Sequence, residues 1–189
     1  MIIKDCMIPD VKLLEPRVFG DERGYFFESY SQEKFDSSIR KINFVQDNES
    51  RSVFGALRGL HYQLPPFAQS KLVRVIVGKV LDIVVDIRKG SETFGCYVAV
   101  ELSEENKRQL FIPKGFAHGF ITLSEAAVFL YKVDNKYAPD FERTLIYNDP
   151  SLDIDWKVEE ENFLVSEKDK QGKLLSVLEL FDVRQSLYA

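Results

Sequence analysis

The run KLVRVIVGKVLDIVVDIRKG, residues 71–90, constrains the fold more than any other part of the chain. Leu81, Ile83, Val85 and Ile87 alternate with Asp82, Val84, Asp86 and Arg88, the period-two pattern of a strand. The preceding KLVRVIVG is apolar on both faces apart from Arg74, as in a strand covered on both sides. Gly78-Lys79 between the two runs reads as a tight hairpin turn. CYVAVEL, RQLFIP and AAVFLYKV continue the series, with Pro113-Lys114-Gly115 as a turn. Helical periodicity is confined to SQEKFDSSIRKI, residues 31–42, with Ser31 as N-cap and Lys34 where a capping box carries Glu. The stretch from Trp156 to Phe181 reads as loop with one or two short helices packed outside. Short strands punctuated by Gly and Pro give an all-β fold, an antiparallel sandwich or jelly-roll barrel with a few short peripheral helices. No repeat, low-complexity tract or linker divides residues 1–189, which read as a single domain.

Composition narrows the function classes. A formal net charge of −5 sets the surface against nucleic acid and anionic membrane, so an anionic ligand needs a local basic cluster. Cys6 and Cys96 are too few for a disulfide scaffold or thiolate cage and read as two buried or inert thiols in a reducing compartment. No apolar run is long enough to span a bilayer, and a soluble, cytoplasmic protein is the expectation.

Only two histidines occur, and both sit among apolar residues: His61 in RGLHYQLPP and His118 in GFAHGF. If Pro65-Pro66 forms the bend of a hairpin, His61 and Lys71 approach one another across the strands. Arg58, Gln63 and Lys71 give this region more polar capacity than a packing core tolerates, which favours a site over a satisfied core histidine. Arg58 lies three residues from His61, so either Gly59 marks a bulge or the two line different walls. FGDERGYFFES, FVQDNES and SEKDKQG are, taken locally, solvated turns and charge runs, and Tyr131 and Tyr137 are tyrosines in need of a hydroxyl partner. A metal site is not expected, because positions 59 and 63 on the His61 strand are Gly and Gln and only one other imidazole exists. No phosphate-cradling or dinucleotide glycine motif occurs, so a nucleotide would be held by side chains.

FGDERGYFFES, FVQDNES, ALRGLHYQLPP, KLVRVIVGKVLDIVVDIR, QLFIPKGFAHGF, FLYKVDNKYAPDFER, YNDPSLDIDW and SEKDKQG, in this order over residues 2–181, resemble the dTDP-4-dehydrorhamnose 3,5-epimerase family. The resemblance implies a cupin-like jelly roll acting without cofactor on a dTDP-linked 4-keto-6-deoxyhexose. It implies His61 as base, Asp169 as the carboxylate orienting it, Lys71 as enolate stabiliser, Tyr131 as acid, and Tyr137 as a ring lining the pocket. Substrate binding carries over to Arg23, Glu28, Gln46, Asp47, Asn48, Arg58, His118, Glu142 and Lys168, alongside Lys71 and Tyr137. Arg23 and Glu28 lie on the segment that in the family crosses to the partner subunit, which implies a homodimer. Two other readings stay open: a single-carbon epimerase of a related dTDP-4-keto-6-deoxy sugar, and a non-catalytic nucleotide-sugar-binding cupin.

Overall fold

The computed structural model describes residues 1–188. Its strands are β1 (Ile2–Asp5), β2 (Lys12–Glu15), β3 (Phe19–Asp21), β4 (Gly24–Phe26), β5 (Gln46–Val53), β6 (Ala56–Gln63), β7 (Lys71–Val77), β8 (Lys79–Asp86) and β9 (Arg88–Lys89). They continue with β10 (Tyr97–Ser103), β11 (Gln109–Ile112), β12 (Phe116–Thr122), β13 (Ala126–Val133), β14 (Glu142–Thr144), β15 (Leu164–Val165) and β16 (Phe181–Asp182). Two α-helices accompany them, α1 (Gln32–Ser38) and α2 (Glu167–Lys170). Two sheets carry the fold, one ordered β1-β2-β11-β7-β13-β5 and the other β10-β8-β12-β6-β14. Neighbouring strands along both orders are antiparallel.

Side-chain alternation sorts three apolar layers. Val73, Val75, Leu110, Ile112 and Phe129 of the first sheet meet Val80, Val84, Val98, Phe116 and Phe120 of the second in a shared interior. The opposite face of the second sheet, with Leu57, Leu60, Ile83, Val85 and Ile87, is covered by the C-terminal segment through Leu145, Trp156, Leu175 and Phe181. Helix α1 and the chain after it cover the outer face of the first sheet, packing Phe35 and Ile42 on Leu72 and Phe111. Each fully buried Leu, Ile or Phe contributes about 1.5–3 kcal/mol. The expected jelly-roll sandwich with short outer helices is therefore present. Ser31 stands at the N-cap of α1, but its side chain makes no capping bond, and the helix ends a turn earlier than its sequence pattern suggests.

Two turn expectations need correction. Gly78 does not close a hairpin: β7 and β8 belong to different sheets, and Gly78 (φ +73°) carries the chain from one to the other. A Cβ there would lie 2.0 Å from the Ala126 carbonyl oxygen, so the corner requires glycine. The Pro65-Pro66 stretch likewise joins strands in opposite sheets, so His61 and Lys71 are not cross-strand neighbours. Gly and Pro mark where a chain turns but not which sheet it joins next. The thiols also differ from expectation, Cys6 being half-buried and Cys96 exposed.

The open question about Arg58 resolves in favour of a bulge. On β12, His118 pairs with His61 and Phe120 with Arg58, so three steps on β6 oppose two on its partner. Arg58 and His61 thus both turn toward the interior, while Leu57, Leu60 and Tyr62 point to the outer layer. Gly59 (φ +130°) makes the bulge, and a Cβ on it would lie 2.5 Å from the Gly119 Cα. Gly119 permits the same close approach from the other strand, where a Cβ would lie 2.6 Å from the Arg58 carbonyl oxygen. Gly119→Ala is expected to destabilise by about 1–3 kcal/mol through this overlap. Urea denaturation would show it as a lowered midpoint at constant m-value, and an unchanged midpoint would refute the bulge's need for glycine.

Candidate active site

At one end of the interior the apolar filling gives way to polar side chains from both sheets. From the second sheet come Arg58 and His61 on β6, Asp82 on β8 and His118 on β12; Glu142 on β14 joins them at the sheet edge. From the first come Lys71 on β7, in phase with the interior residues Val73 and Val75, and Tyr131 on β13, in phase with Phe129. On β5, Asn48 pairs with Tyr131 in register.

His61 is held by a residue 108 positions away, its Nε2 lying 2.6 Å from Asp169 Oδ1. Ser166 caps α2 by accepting the Asp169 amide at 3.1 Å, which fixes the carboxylate at the bulge. Burial acts to raise the Asp169 carboxyl, but the hydrogen bond and charge of His61, with the Ser166 hydroxyl and Gly59 amide, hold it below its ordinary value. An ionised carboxylate accepts the Nε2–H, so Nδ1 is the basic nitrogen of His61. The His61 side chain keeps 26% of its accessibility, against 6% for Asp169, so the imidazole meets the cavity and its carboxylate does not.

Lys71 enters the interior from the opposite sheet, within reach of the charges of Asp82 and Glu142. Burial lowers its ammonium to about 8, opposed by the charges of Asp82 and Glu142. Burial raises the Tyr131 phenol above its ordinary value; nearby Arg58 works against this and Glu142 with it. At neutral pH Tyr131 is therefore a protonated acid. Arg58 is aimed by Ser52, whose hydroxyl accepts from Nε at 3.0 Å. His118 Nε2 lies 2.9 and 3.1 Å from the two oxygens of the fully buried Asp82. Tyr137 donates to Glu142 Oε2 at 2.8 Å, and Lys168 pairs with the same oxygen, forming a polar rim.

Three expected binding residues stand apart from this cluster. Asp47 points to the outer face of the first sheet and pairs with Lys132 at 2.8 Å, whereas Gln46 and Asn48 share the inward side with Ser52 and bond each other at 2.7 Å. Arg23 and Glu28 lie outside on the β3–β4 arm and the segment after it; Arg23 bonds Asp21, and Glu28 pairs with Lys34. Sequence reasoning missed Ser52, Ser166 and Asp82 as supports. Asp82 alone left a signal, being a carboxylate on the face of β8 that also carries Val80 and Val84. Among the described residues no group of three His, Cys, Asp or Glu side chains has the arrangement of a metal site.

The arrangement sets an imidazole on one wall and a phenol and an amine on the other, which suits proton transfer at a carbon next to a carbonyl. Known proteins match the sequence and the fold. A family model described as dTDP-4-dehydrorhamnose 3,5-epimerase covers residues 5–176. The dTDP-4-dehydrorhamnose 3,5-epimerase of Pseudomonas aeruginosa is 56% identical over 175 residues, spanning 92% of this chain and 96% of that one. The crystal structure of a dTDP-6-deoxy-D-glucose-3,5-epimerase from Legionella pneumophila, in complex with dTDP-4-keto-L-rhamnose, superposes with a TM-score of 0.93. It is 47% identical and covers 97% of this chain and 99% of that one. A 3'-monoepimerase from Streptomyces bikiniensis, in complex with dTDP-quinovose, is 32% identical with a TM-score of 0.84, covering 91% and 87%. The all-β architecture, the interior cluster and these similarities agree: the chain belongs to the dTDP-4-dehydrorhamnose 3,5-epimerase family.

Proposed function

We propose that this carbohydrate epimerase inverts C3 and C5 of dTDP-4-dehydro-6-deoxy-D-glucose, giving dTDP-4-dehydro-L-rhamnose, with His61 as base and Tyr131 as acid. The observation that carries this reading is that the two stand on opposing sheets of one interior. Hydrogens on the carbons flanking the C4 ketone are acidic because the carbanion delocalises onto the ketone oxygen. His61 Nδ1 takes the proton, and Asp169 steadies the imidazolium that forms. Lys71 supplies positive charge to the enolate oxygen. Tyr131 returns a proton from the opposite face, which is what inversion demands. Arg58 and Lys168 offer charge for the diphosphate, and Gln46, Asn48, His118, Tyr137 and Glu142 offer polar contacts for sugar and base. Asp47, whose side chain pairs with Lys132 on the outer face, would reach the substrate through its backbone between Gln46 and Asn48.

We also propose a homodimer. Arg23 and Glu28 pair with exposed neighbours of their own chain, Asp21 and Lys34, and Phe19, Tyr25 and Phe26 of the same arm are exposed. An arm crossing to a second copy would bury those rings and bring both charges to the partner's pocket. A nucleotide-activated substrate goes with a cytoplasmic location, and among the described residues no helix is long and apolar enough to cross a membrane.

Incubation with dTDP-4-keto-6-deoxyglucose in D2O, followed by NMR, tests the activity. Deuterium is expected at C3 and C5; at one carbon only it would mark a monoepimerase, and at neither an inert binder. In Tyr131→Phe, deuterium exchange is expected to outlast inversion, and unimpaired inversion would assign the acid to another group. As pH rises through about 8 the Lys71 ammonium loses its charge, so kcat/KM falls on that side. Lys71→Arg moves this limb to higher pH, since guanidinium stays charged; an unmoved limb removes Lys71 from the role. Finally, mixing inactive Arg23→Ala with inactive His61→Asn subunits is expected to restore activity, because a mixed dimer rebuilds one complete pocket. No recovery on exchange would leave Arg23 outside the partner's site.

A further inference from the structure

The two histidines are paired in register on adjacent strands, and each gives Nε2 to its own carboxylate. The carboxylates differ in setting. Asp169 comes from a short helix at the sheet edge, whereas Asp82 comes from the middle of β8, wholly enclosed by the two sheets. His118 itself is buried, 6% accessible, with its ring stacked at 6.1 Å on Phe129 of the facing sheet. We propose that Asp82 is a positioning residue that locks His118 in its Nε2–H form, so that Nδ1 meets the substrate as an uncharged acceptor and binds a hydroxyl donor, never a phosphate oxygen. This deepens the epimerase reading and rests on it for the identity of the ligand.

The chemistry is that of a buried pair. Burial raises the Asp82 carboxyl, opposed by the charge and hydrogen bond of His118 and the charge of Lys71; in its ionised form it has only acceptors to offer, so the imidazole nitrogen it faces carries the hydrogen. The second nitrogen then holds a lone pair unless the ring takes another proton. Burial opposes that proton, as do the charges of Lys71 on β7 and His61 on β6, while Asp82 on β8 favours it; the balance lowers His118 below the ordinary histidine value. One buried carboxylate already faces the Lys71 cation, so a second cation on His118 would stand uncompensated in the interior. The two histidines thus divide the labour. His61, more open, gains and loses a proton during turnover, and His118 keeps one protonation state throughout.

With only two histidines in the chain, 15N-histidine NMR of the ligand-free protein resolves each ring. The expected spectrum has one ring, absent in His118→Asn, fixed as Nε2–H with a bare Nδ1 and unchanged between about pH 6 and 8. An Nδ1–H tautomer, or titration of that ring in this range, would overturn the proposal. Asp82→Leu, which keeps the γ-branched shape but loses the acceptor, is expected to release the tautomer and lower kcat/KM about tenfold or more. Asp82→Asn, whose amide offers either an oxygen or an NH2 to the ring, is expected to hold the Nε2–H form only in part and to fall between Asp82→Leu and the wild type in kcat/KM. An Asp82→Leu protein with the tautomer still fixed and kcat/KM unchanged would also overturn it. If Asp82→Leu fails to fold, the wild-type spectrum decides alone. That spectrum needs no substrate, so it stands apart from failure of the epimerase reading, which would show as wild-type protein inert toward the dTDP-4-keto sugar.

Discussion

A single hydrogen bond, His61 Nε2 to Asp169 Oδ1 at 2.6 Å, is the contact on which the rest of the site depends. It spans 108 positions, so its geometry exists only once the C-terminal segment has docked on the second sheet. That docking is driven by Trp156, Leu175, Leu178 and Phe181 burying against Leu57, Leu60 and Ile83. The apolar layer and the dyad are therefore one construction. The layer brings α2 to the sheet edge, the Ser166 cap orients its first turn, and Asp169 arrives at the β6 bulge. The bulge in turn exists because Gly59 and Gly119 let two backbones approach more closely than any side chain permits.

The interior then sorts its polar groups by wall. In the proposed mechanism one sheet contributes the imidazole that accepts a proton, and the other contributes the phenol that gives one and the amine that balances negative charge. Inversion at a carbon needs this two-sidedness, and a sandwich of two sheets supplies it. The burial that lowers the Lys71 ammonium to about 8 would, in the proposed mechanism, also strengthen what its remaining charge does at an enolate oxygen.

Much of this was legible in the sequence, and the misses have physical causes. The alternation from Lys79 to Asp86 marked β8 because one of its faces is uniformly aliphatic. The apolar faces of Leu72 and Val73 marked β7 as covered on both sides, and so it is, by α1 on one and the core on the other. Gly78 and Pro65-Pro66 misled because a turn residue encodes local backbone angles, whereas the choice between hairpin and inter-sheet corner is made by distant strands. Asp47 sits between two inward residues and so faces outward, which a motif read as a block conceals. Asp169 lay in an ordinary charge run, and only the family resemblance singled it out, since no local pattern announces a partner so far along the chain.

The central claim is that one imidazole, steered by Asp169, removes the hydrogens on both sides of the carbonyl. The most direct measurement is washout of deuterium from substrate labelled at C3 and C5, by His61→Asn and Asp169→Asn proteins whose dTDP affinity is measured in parallel. Loss of washout at both carbons in His61→Asn, a strong reduction in Asp169→Asn, and near-native dTDP affinity in each is the result predicted. Washout persisting at either carbon in His61→Asn would contradict it.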